Sequence, residues 1–150
     1  MSADAASGTT QHEQMQSEPT WADLKVGLEV GPLTYAVTGE MVQAFCDAMP
    51  VEAAPYRNSA AGSADIMPPT MLATDYVPLL QGRLALGWGL MARHSIRSLK
   101  PVRVGDTVTV AGTITEKFEK KGRHYWTLAY HVTNAAGERC LESEISCSVD

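Results

Sequence analysis

Residues 100–108 read Lys-Pro-Val-Arg-Val-Gly-Asp-Thr-Val, and this stretch carries more information about the fold than any other in the chain. Pro101 has no backbone donor, so it suits the end or the edge of a strand. Gly105 and Asp106 form a turn dipeptide, and glycine can supply backbone angles that other residues avoid. We therefore expect a tight corner that leads into a regular strand from Thr107.

The residues after this corner alternate between apolar and polar side chains, as strands with one buried face do. Residues 107–115 form the first such segment, and a charged turn at 119–123 leads into the second. A second turn at 134–137 leads into the last strand. The predicted core face of these three strands contains Val108, Val110, Gly112, Ile114, His124, Trp126, Leu128, Tyr130, Val132, Leu141, Ile145, Cys147 and Val149.

The first half of the chain contains helical patterns. Residues 33–37 are predicted to form a short first strand, and Thr38 is a suitable N-cap for a helix that Pro50 ends. The predicted buried face of that helix contains Met41, Ala44, Phe45, Ala48 and Met49. A second helix is predicted over residues 70–80, where Pro69 suits the first turn and Pro78 could kink or shorten the end. A strand is predicted over residues 91–99.

Length and composition indicate one globular domain. The chain has 150 residues and a net charge of −5, which does not favour a general role in nucleic-acid binding. Residues 1–20 are polar and aperiodic, so we predict a disordered tail followed by a single domain over residues 21–150. No signal peptide and no apolar stretch of about 20 residues are recognised, so we expect a cytoplasmic protein without a membrane association. The three cysteines lack metal-ligand spacing and are expected to be reduced and buried, without a metal site.

Four segments together resemble the MaoC-like enoyl-CoA hydratase/dehydratase family. They are the helix end Ala-Phe-Cys-Asp-Ala at 44–48, Ala-Pro-Tyr at 54–56, Met-Pro-Pro-Thr at 67–70 and the corner at 101–107. The sequence is most similar to the N-terminal, FAS1-like dehydratase half of double-hot-dog members. The resemblance implies an α+β hot-dog fold, in which an antiparallel sheet wraps around a central helix. The alternative is a cone-shaped α+β barrel of the ketosteroid-isomerase type, which a strand before the first helix disfavours.

This resemblance implies hydration of an enoyl thioester or dehydration of a β-hydroxyacyl thioester, a hydro-lyase activity. The substrate would be carried on coenzyme A or acyl carrier protein, with no further cofactor. Catalytic members carry an Asp and a His in the motif Asp-x-Asn-Pro-x-His, and the aligned residues here are Val51 and Tyr56. Valine cannot transfer a proton, and tyrosine is a poor base at neutral pH. Two alternatives therefore remain open: a non-catalytic substrate-binding subunit of a heteromeric hydratase, and a hot-dog thioesterase or another reaction on the same scaffold.

Other residues could replace the missing dyad. His94 follows the central helix, close to where hot-dog proteins hold the thioester, and histidine titrates near neutral pH. Asp75 on the predicted helix and Tyr56 are the other catalytic candidates. The candidate phosphate contacts to the carrier are Arg93, Arg97, Lys100 and Arg103. Because a hot-dog sheet leaves an unpaired edge strand, we expect a homodimer or a heterodimer with a related hot-dog subunit.

Overall fold

In a computed structural model of the protein, the described residues are 20–53, 56, 66–81 and 89–149. A 3-10 helix at Trp21–Asp23 precedes the strands and α-helices. The strands are β1 (Glu29–Ala36), β2 (Leu90–Ser98), β3 (Thr107–Lys120), β4 (Arg123–Asn134) and β5 (Arg139–Val149), and the helices are α1 (Gly39–Ala48), α2 (Pro69–Leu72) and α3 (Tyr76–Leu80). The predicted tail lies outside the described residues, except for Thr20.

The strands form one antiparallel sheet in the order β1-β3-β4-β5-β2. One face of this sheet packs against α2 and α3, whose Leu72, Leu79 and Leu80 are buried in the same core as the strand residues. We call this the inner face, and the opposite face of the sheet the outer face. Strand β2 lies at one end of the sheet and pairs on one side only, with β5, within the described residues.

The predicted alternation of the C-terminal strands is confirmed. Among the residues assigned to the core face, only His124 is not buried. The hairpin between β3 and β4 turns at Lys121 and Gly122, whose φ angles of 53° and 74° match the paired positive values of a tight hairpin. The sequence therefore predicts this half of the sheet because most of its buried apolar side chains recur with a period of two.

The corner at residues 100–108 also forms as predicted. The carboxylate of Asp106 accepts a hydrogen bond of 2.8 Å from the backbone N–H of Arg103, and Gly105 has a φ of 96°. Val102 is buried, and its carbonyl accepts a 2.8 Å bond from the backbone N–H of Met67. This bond ties the corner to the segment that begins α2.

The predicted buried face of α1 is wrong, although its boundaries are correct. The hydroxyl of Thr38 accepts a hydrogen bond from the backbone N–H of Met41, and the helix ends before Pro50. The fully buried side chains are Val42 and Cys46, whereas Met49 is 59% exposed. Val42 and Cys46 are themselves four apart, so the helix has a second apolar stripe, and packing selects that one.

The single helix predicted over residues 70–80 is also wrong, because the structure has two short helices separated by a turn at residues 73–75. Proline lacks an N–H and clashes with the carbonyl four residues before it, so Pro78 disfavours a helix that runs through Thr74. With α3 starting at Tyr76, Pro78 falls in the first turn, where no donor is needed. Pro69 begins α2, as predicted.

Two strand boundaries differ slightly from prediction. Strand β1 begins at Glu29, four residues before the predicted start, and it ends at Ala36. Its pairing with β3 shifts register between Val30 and Leu33, so the break at Gly31 and Pro32 is accommodated within a strand. Strand β2 is displaced by one residue from the predicted range 91–99.

Candidate functional site

Asp75 lies in the turn between α2 and α3, facing the inner face of the sheet. Its side chain is only 7% exposed, and the hydroxyl of Tyr35 donates a 2.8 Å hydrogen bond to its Oδ2. Burial raises the pKa of Asp75 from 3.8 to about 6, although the Tyr35 hydrogen bond acts to lower it. The turn thus holds a carboxyl group that can both lose and regain a proton near neutral pH.

Two further hydrogen bonds fix this turn. The hydroxyl of Tyr130, on the inner face of β4, donates a 2.6 Å bond to the backbone carbonyl of Ala73. The hydroxyl of Thr74 donates a 2.7 Å bond to the carbonyl of Met71. Burial raises the pKa of Tyr130 to about 12, so this tyrosine stays protonated and remains a donor. The broken helix therefore places the Asp75 carboxyl on a backbone that is held from two sides.

His94 projects from β2 toward the inner face, where its register partner Ile145 is buried. Its Nε2 lies 2.9 Å from the hydroxyl oxygen of Ser143, and that hydroxyl donates its single proton to the carbonyl of Ser95 at 3.0 Å. Nε2 must therefore be the donor in its contact with Ser143, which leaves Nδ1 of the neutral ring as an acceptor. Burial lowers the pKa of His94, so the neutral ring predominates at pH 7.

Asp75 and His94 form hydrogen bonds with different partners, and Tyr76 is close to both. The Tyr76 ring meets the His94 ring edge-on, with centroids 6.0 Å apart. The hydrogen bond of Asp75 goes to Tyr35 and that of His94 goes to Ser143. Asp75 therefore does not orient the His94 ring through a direct hydrogen bond. Both residues belong to a group on the inner face that we call the polar cluster, which consists of Tyr35, Asp75, His94, Tyr130 and Ser143.

The residues at the family's dyad positions contribute to packing. Val51 and Tyr56 are half-buried and lie against the hydrophobic core. The carbonyl of Tyr56 lies 3.8 Å from the thiol of Cys46 on α1. Residues 54–55 and 57–65, which include part of the segment at 54–56 that carries the resemblance, lie outside the described residues.

The four basic candidates do not form one cluster. Arg93 and Arg97 lie on the outer face, where they pair with Glu144 at 3.6 Å and Glu142 at 2.5 Å. Lys100 forms an ion pair with Glu138. Arg103 lies in the corner before β3, and its backbone N–H donates to the carboxylate of Asp106. The predicted contact of all four with carrier phosphates stays a prediction, and the first three already have acidic partners.

Three residues of the polar cluster were not identified from the sequence as site residues: Tyr35, Tyr130 and Ser143. Tyr130 was predicted to lie on the core face, and a buried tyrosine needs a partner for its hydroxyl. That requirement could have marked it as a residue that fixes a nearby backbone. The partner of Tyr35 depends on the broken helix, which the alternation of residues could not reveal.

The three cysteines, Cys46, Cys140 and Cys147, are free and buried, as predicted. Within the described ranges, no three His, Cys, Asp or Glu residues are arranged to hold a metal ion. No helix in those ranges has the length and apolar character needed to cross a membrane.

Residues 25–143, which make up most of the chain, match the family described as "FAS1-like, dehydratase domain region". No curated protein is a match for the sequence. Three similar solved structures illustrate the fold. The unliganded R-hydratase PhaJ1 from Pseudomonas aeruginosa has a TM-score of 0.71 and 19% identity, over 87% of this chain and 89% of that chain. A MaoC-like dehydratase from Rhodospirillum rubrum has a TM-score of 0.64 and 21% identity, over 85% and 94%.

The third structure is the HadBC (3R-hydroxyacyl-ACP dehydratase) complex from Mycobacterium tuberculosis, with a TM-score of 0.66 and 20% identity over 82% and 96% of the two chains. At these identities the likeness concerns the fold. The predicted α+β hot-dog fold is thereby confirmed, and the cone-shaped barrel is excluded. The central helix of the expected fold is represented here by α2 and α3.

Proposed function

Because the chain belongs to the FAS1-like dehydratase family of MaoC-like hot-dog proteins, we propose that it hydrates enoyl thioesters or dehydrates β-hydroxyacyl thioesters. The observation that carries this proposal is the buried carboxyl of Asp75, with a pKa of about 6. Proton transfer to and from a reacting group is most effective when the pKa of the catalytic group lies near the working pH. Asp75 thus offers an acid–base group where the family's own dyad residues are replaced by Val51 and Tyr56.

The proposed reaction needs one group that both takes and returns a proton. In the hydration direction, the oxygen of a water molecule bonds to the β carbon while one water proton passes to the Asp75 carboxylate. The electron pair of the double bond moves toward the thioester carbonyl as an enolate. The enolate collapses when its α carbon takes that proton from Asp75, which restores the carboxylate. Dehydration is the same sequence reversed.

His94 and Tyr56 have supporting roles in this proposal. Nδ1 of neutral His94 accepts a hydrogen bond from the attacking water, while its Nε2–H is held by Ser143. Tyr56 packs against the core and shapes the substrate site. The acyl group would arrive on coenzyme A or acyl carrier protein, and the protein would act in the cytoplasm.

A second candidate function is that of a non-catalytic subunit in a heteromeric hydratase. The replacement of both dyad residues, by Val51 and Tyr56, favours it. Either candidate needs a partner at the unpaired edge of β2, because large apolar side chains on and beside this strand are exposed, including Leu90 at 68%. A strand edge of this kind is suited to pairing with another strand. In the first candidate the edge is covered by a second copy of the chain, and in the second by a related hot-dog subunit that carries an intact Asp/His dyad.

Assaying the purified chain on a short enoyl thioester tests the proposal. Formation of the β-hydroxyacyl thioester by the chain alone is expected, and the products should be separated so that release of a free acid is seen. Turnover only in the presence of a hot-dog partner with an Asp/His dyad would contradict the first candidate function and support the second. Free acid as the main product would replace both with a thioesterase.

The β2 edge can be tested without activity. Ile96, on β2, is exposed, so Ile96→Lys should leave the monomer folded and should disrupt an assembly formed through this edge. Val26→Lys is the matched control, because Val26 is an exposed apolar residue outside the sheet. Light scattering should give dimer mass for wild type and Val26→Lys and monomer mass for Ile96→Lys. A monomeric wild type, alone and with related hot-dog subunits, would contradict the interface.

A further inference from the structure

A groove of about 560 Å³ crosses the outer face of the sheet, beside the hairpin that joins β3 and β4. It lies on the opposite face from Asp75 and His94, so neither of those side chains lines it. Its volume is in the range of small-molecule sites, which is about 300–1,000 Å³. The residues that line it and matter here are Arg93, Lys120, Lys121, Arg123, Phe118 and Tyr125.

The lining of this groove is basic although the protein is acidic. Four of the twelve Lys and Arg residues line it, in a chain with a net charge of −5. The acidic residue in the lining is Glu116, whose carboxylate accepts a hydrogen bond from the hydroxyl of Thr127. Lys120 and Lys121 are exposed and form no ion pair with the described residues. Clustered Lys and Arg side chains are suited to phosphate groups.

An aromatic pair lies among these cations. The rings of Phe118 and Tyr125 are stacked, with centroids 5.0 Å apart and planes within 5° of parallel. Phe118 remains 40% exposed, so part of its side chain is open to a ligand. A planar base gains free energy by stacking on such a ring. The groove therefore combines a surface for a flat ring with charges for phosphates.

A larger groove on the same face, of about 670 Å³, provides a contrast. Its arginines, Arg97 and Arg139, both pair with Glu142. Its positive charge is thus largely neutralised by the protein itself. The combination of lysines without acidic partners and an exposed aromatic ring distinguishes the smaller groove.

We propose that the smaller groove binds a nucleotide, with the base on Phe118 and the phosphates on Lys120, Lys121 and Arg123. The ligand chemistry is an aromatic base joined to phosphates, which both a free adenine nucleotide and the nucleotide end of coenzyme A provide. This proposal does not depend on the proposed reaction, because it rests on groups across the sheet from Asp75.

Calorimetric titration with ADP and with coenzyme A tests this site. Phe118→Leu keeps an apolar side chain but removes the ring, and Lys120→Gln removes one charge at similar length. Lys25→Gln is the control, since Lys25 is an exposed lysine outside the groove. Circular dichroism should confirm that each variant is folded. We expect ADP to bind wild type and Lys25→Gln equally, and Phe118→Leu to bind about tenfold more weakly, as loss of base stacking implies.

The two ligands distinguish the sources of the nucleotide. If Phe118→Leu weakens the binding of ADP and of coenzyme A equally, the ligand is the nucleotide of the coenzyme. If it weakens the binding of ADP alone, the ligand is a free nucleotide. No ADP binding at millimolar concentration, or binding that Phe118→Leu and Lys120→Gln leave unchanged, would overturn the proposal. Hydration of an N-acetylcysteamine thioester, which has no nucleotide, tests the proposed reaction separately.

Discussion

Replacing Asp75 with asparagine should remove the loss of stability that the buried carboxyl causes as the pH rises. The pKa of Asp75 is raised from 3.8 to about 6 in the folded chain because burial disfavours the charged form. A group whose pKa is higher in the folded state contributes stability below its unfolded pKa. That contribution is lost as the pH rises through the folded pKa. The difference of about two in pKa corresponds to about 3 kcal/mol.

Urea denaturation of wild type and Asp75→Asn at pH values from 4 to 8 measures this effect. Asparagine has nearly the same shape and can accept the Tyr35 hydrogen bond, but it does not ionise. The free energy of unfolding of wild type, relative to Asp75→Asn, should fall by about 2 kcal/mol between pH 4 and pH 7, because the unfolded carboxyl is already partly ionised at pH 4. Most of this fall should occur between the unfolded and the folded pKa. The fall should be complete about one pH unit above the folded pKa.

Asp23 provides a control of opposite sign. Its carboxylate accepts hydrogen bonds from the backbone N–H and the hydroxyl of Thr20, and these bonds lower its pKa. Relative to Asp23→Asn, wild type should therefore gain stability as the pH rises through the acid range. A wild type that gains stability relative to Asp75→Asn as the pH rises, or a difference that is independent of pH, would refute the reasoning about Asp75.

Three further predictions concern packing and the former dyad position. Tyr130→Phe should lower the free energy of unfolding by about 1–3 kcal/mol in urea, because the buried carbonyl of Ala73 loses its 2.6 Å hydrogen bond. Gly112→Ala should lower the free energy of unfolding by about 1–3 kcal/mol, because a Cβ there would lie 2.8 Å from a backbone oxygen of β4. Gly39→Ala is the control and should be tolerated, because the nearest atom to its Cβ would lie 3.9 Å away. Tyr56→Phe should keep turnover within about tenfold, because the proposed mechanism uses no proton from Tyr56.

The C-terminal sheet could be predicted from the sequence because its burial has a period of two over long strands. Val108 and Val110 are buried where the alternation places them, and the hairpin at Lys121 and Gly122 turns where charge and glycine indicate. The helices were harder to predict. Helix α1 has two apolar stripes, and tertiary packing rather than the helical period selects Val42 and Cys46.

The candidate site could be predicted only as separate residues. Asp75 and His94 were recognisable from residue type and position, but their partners depend on the turn at residues 73–75. That turn follows from Pro78. The sequence predicts that Pro78 kinks or shortens the helix, but it does not predict that the break lies at residues 73–75. Tyr35 reaches Asp75 only because β1 and the turn meet across the core, 40 residues apart in the chain. A contact of that kind leaves no periodic signal in the sequence.

The central claim is that Asp75 transfers the proton in thioester hydration, and its most direct test is the turnover number of Asp75→Asn. Asp47→Asn is the matched control, since Asp47 is an exposed carboxylate on α1. With a short enoyl thioester at pH 7, Asp75→Asn should reduce turnover about a hundredfold or more, and Asp47→Asn should not change it. Wild-type turnover in folded Asp75→Asn protein would contradict the account.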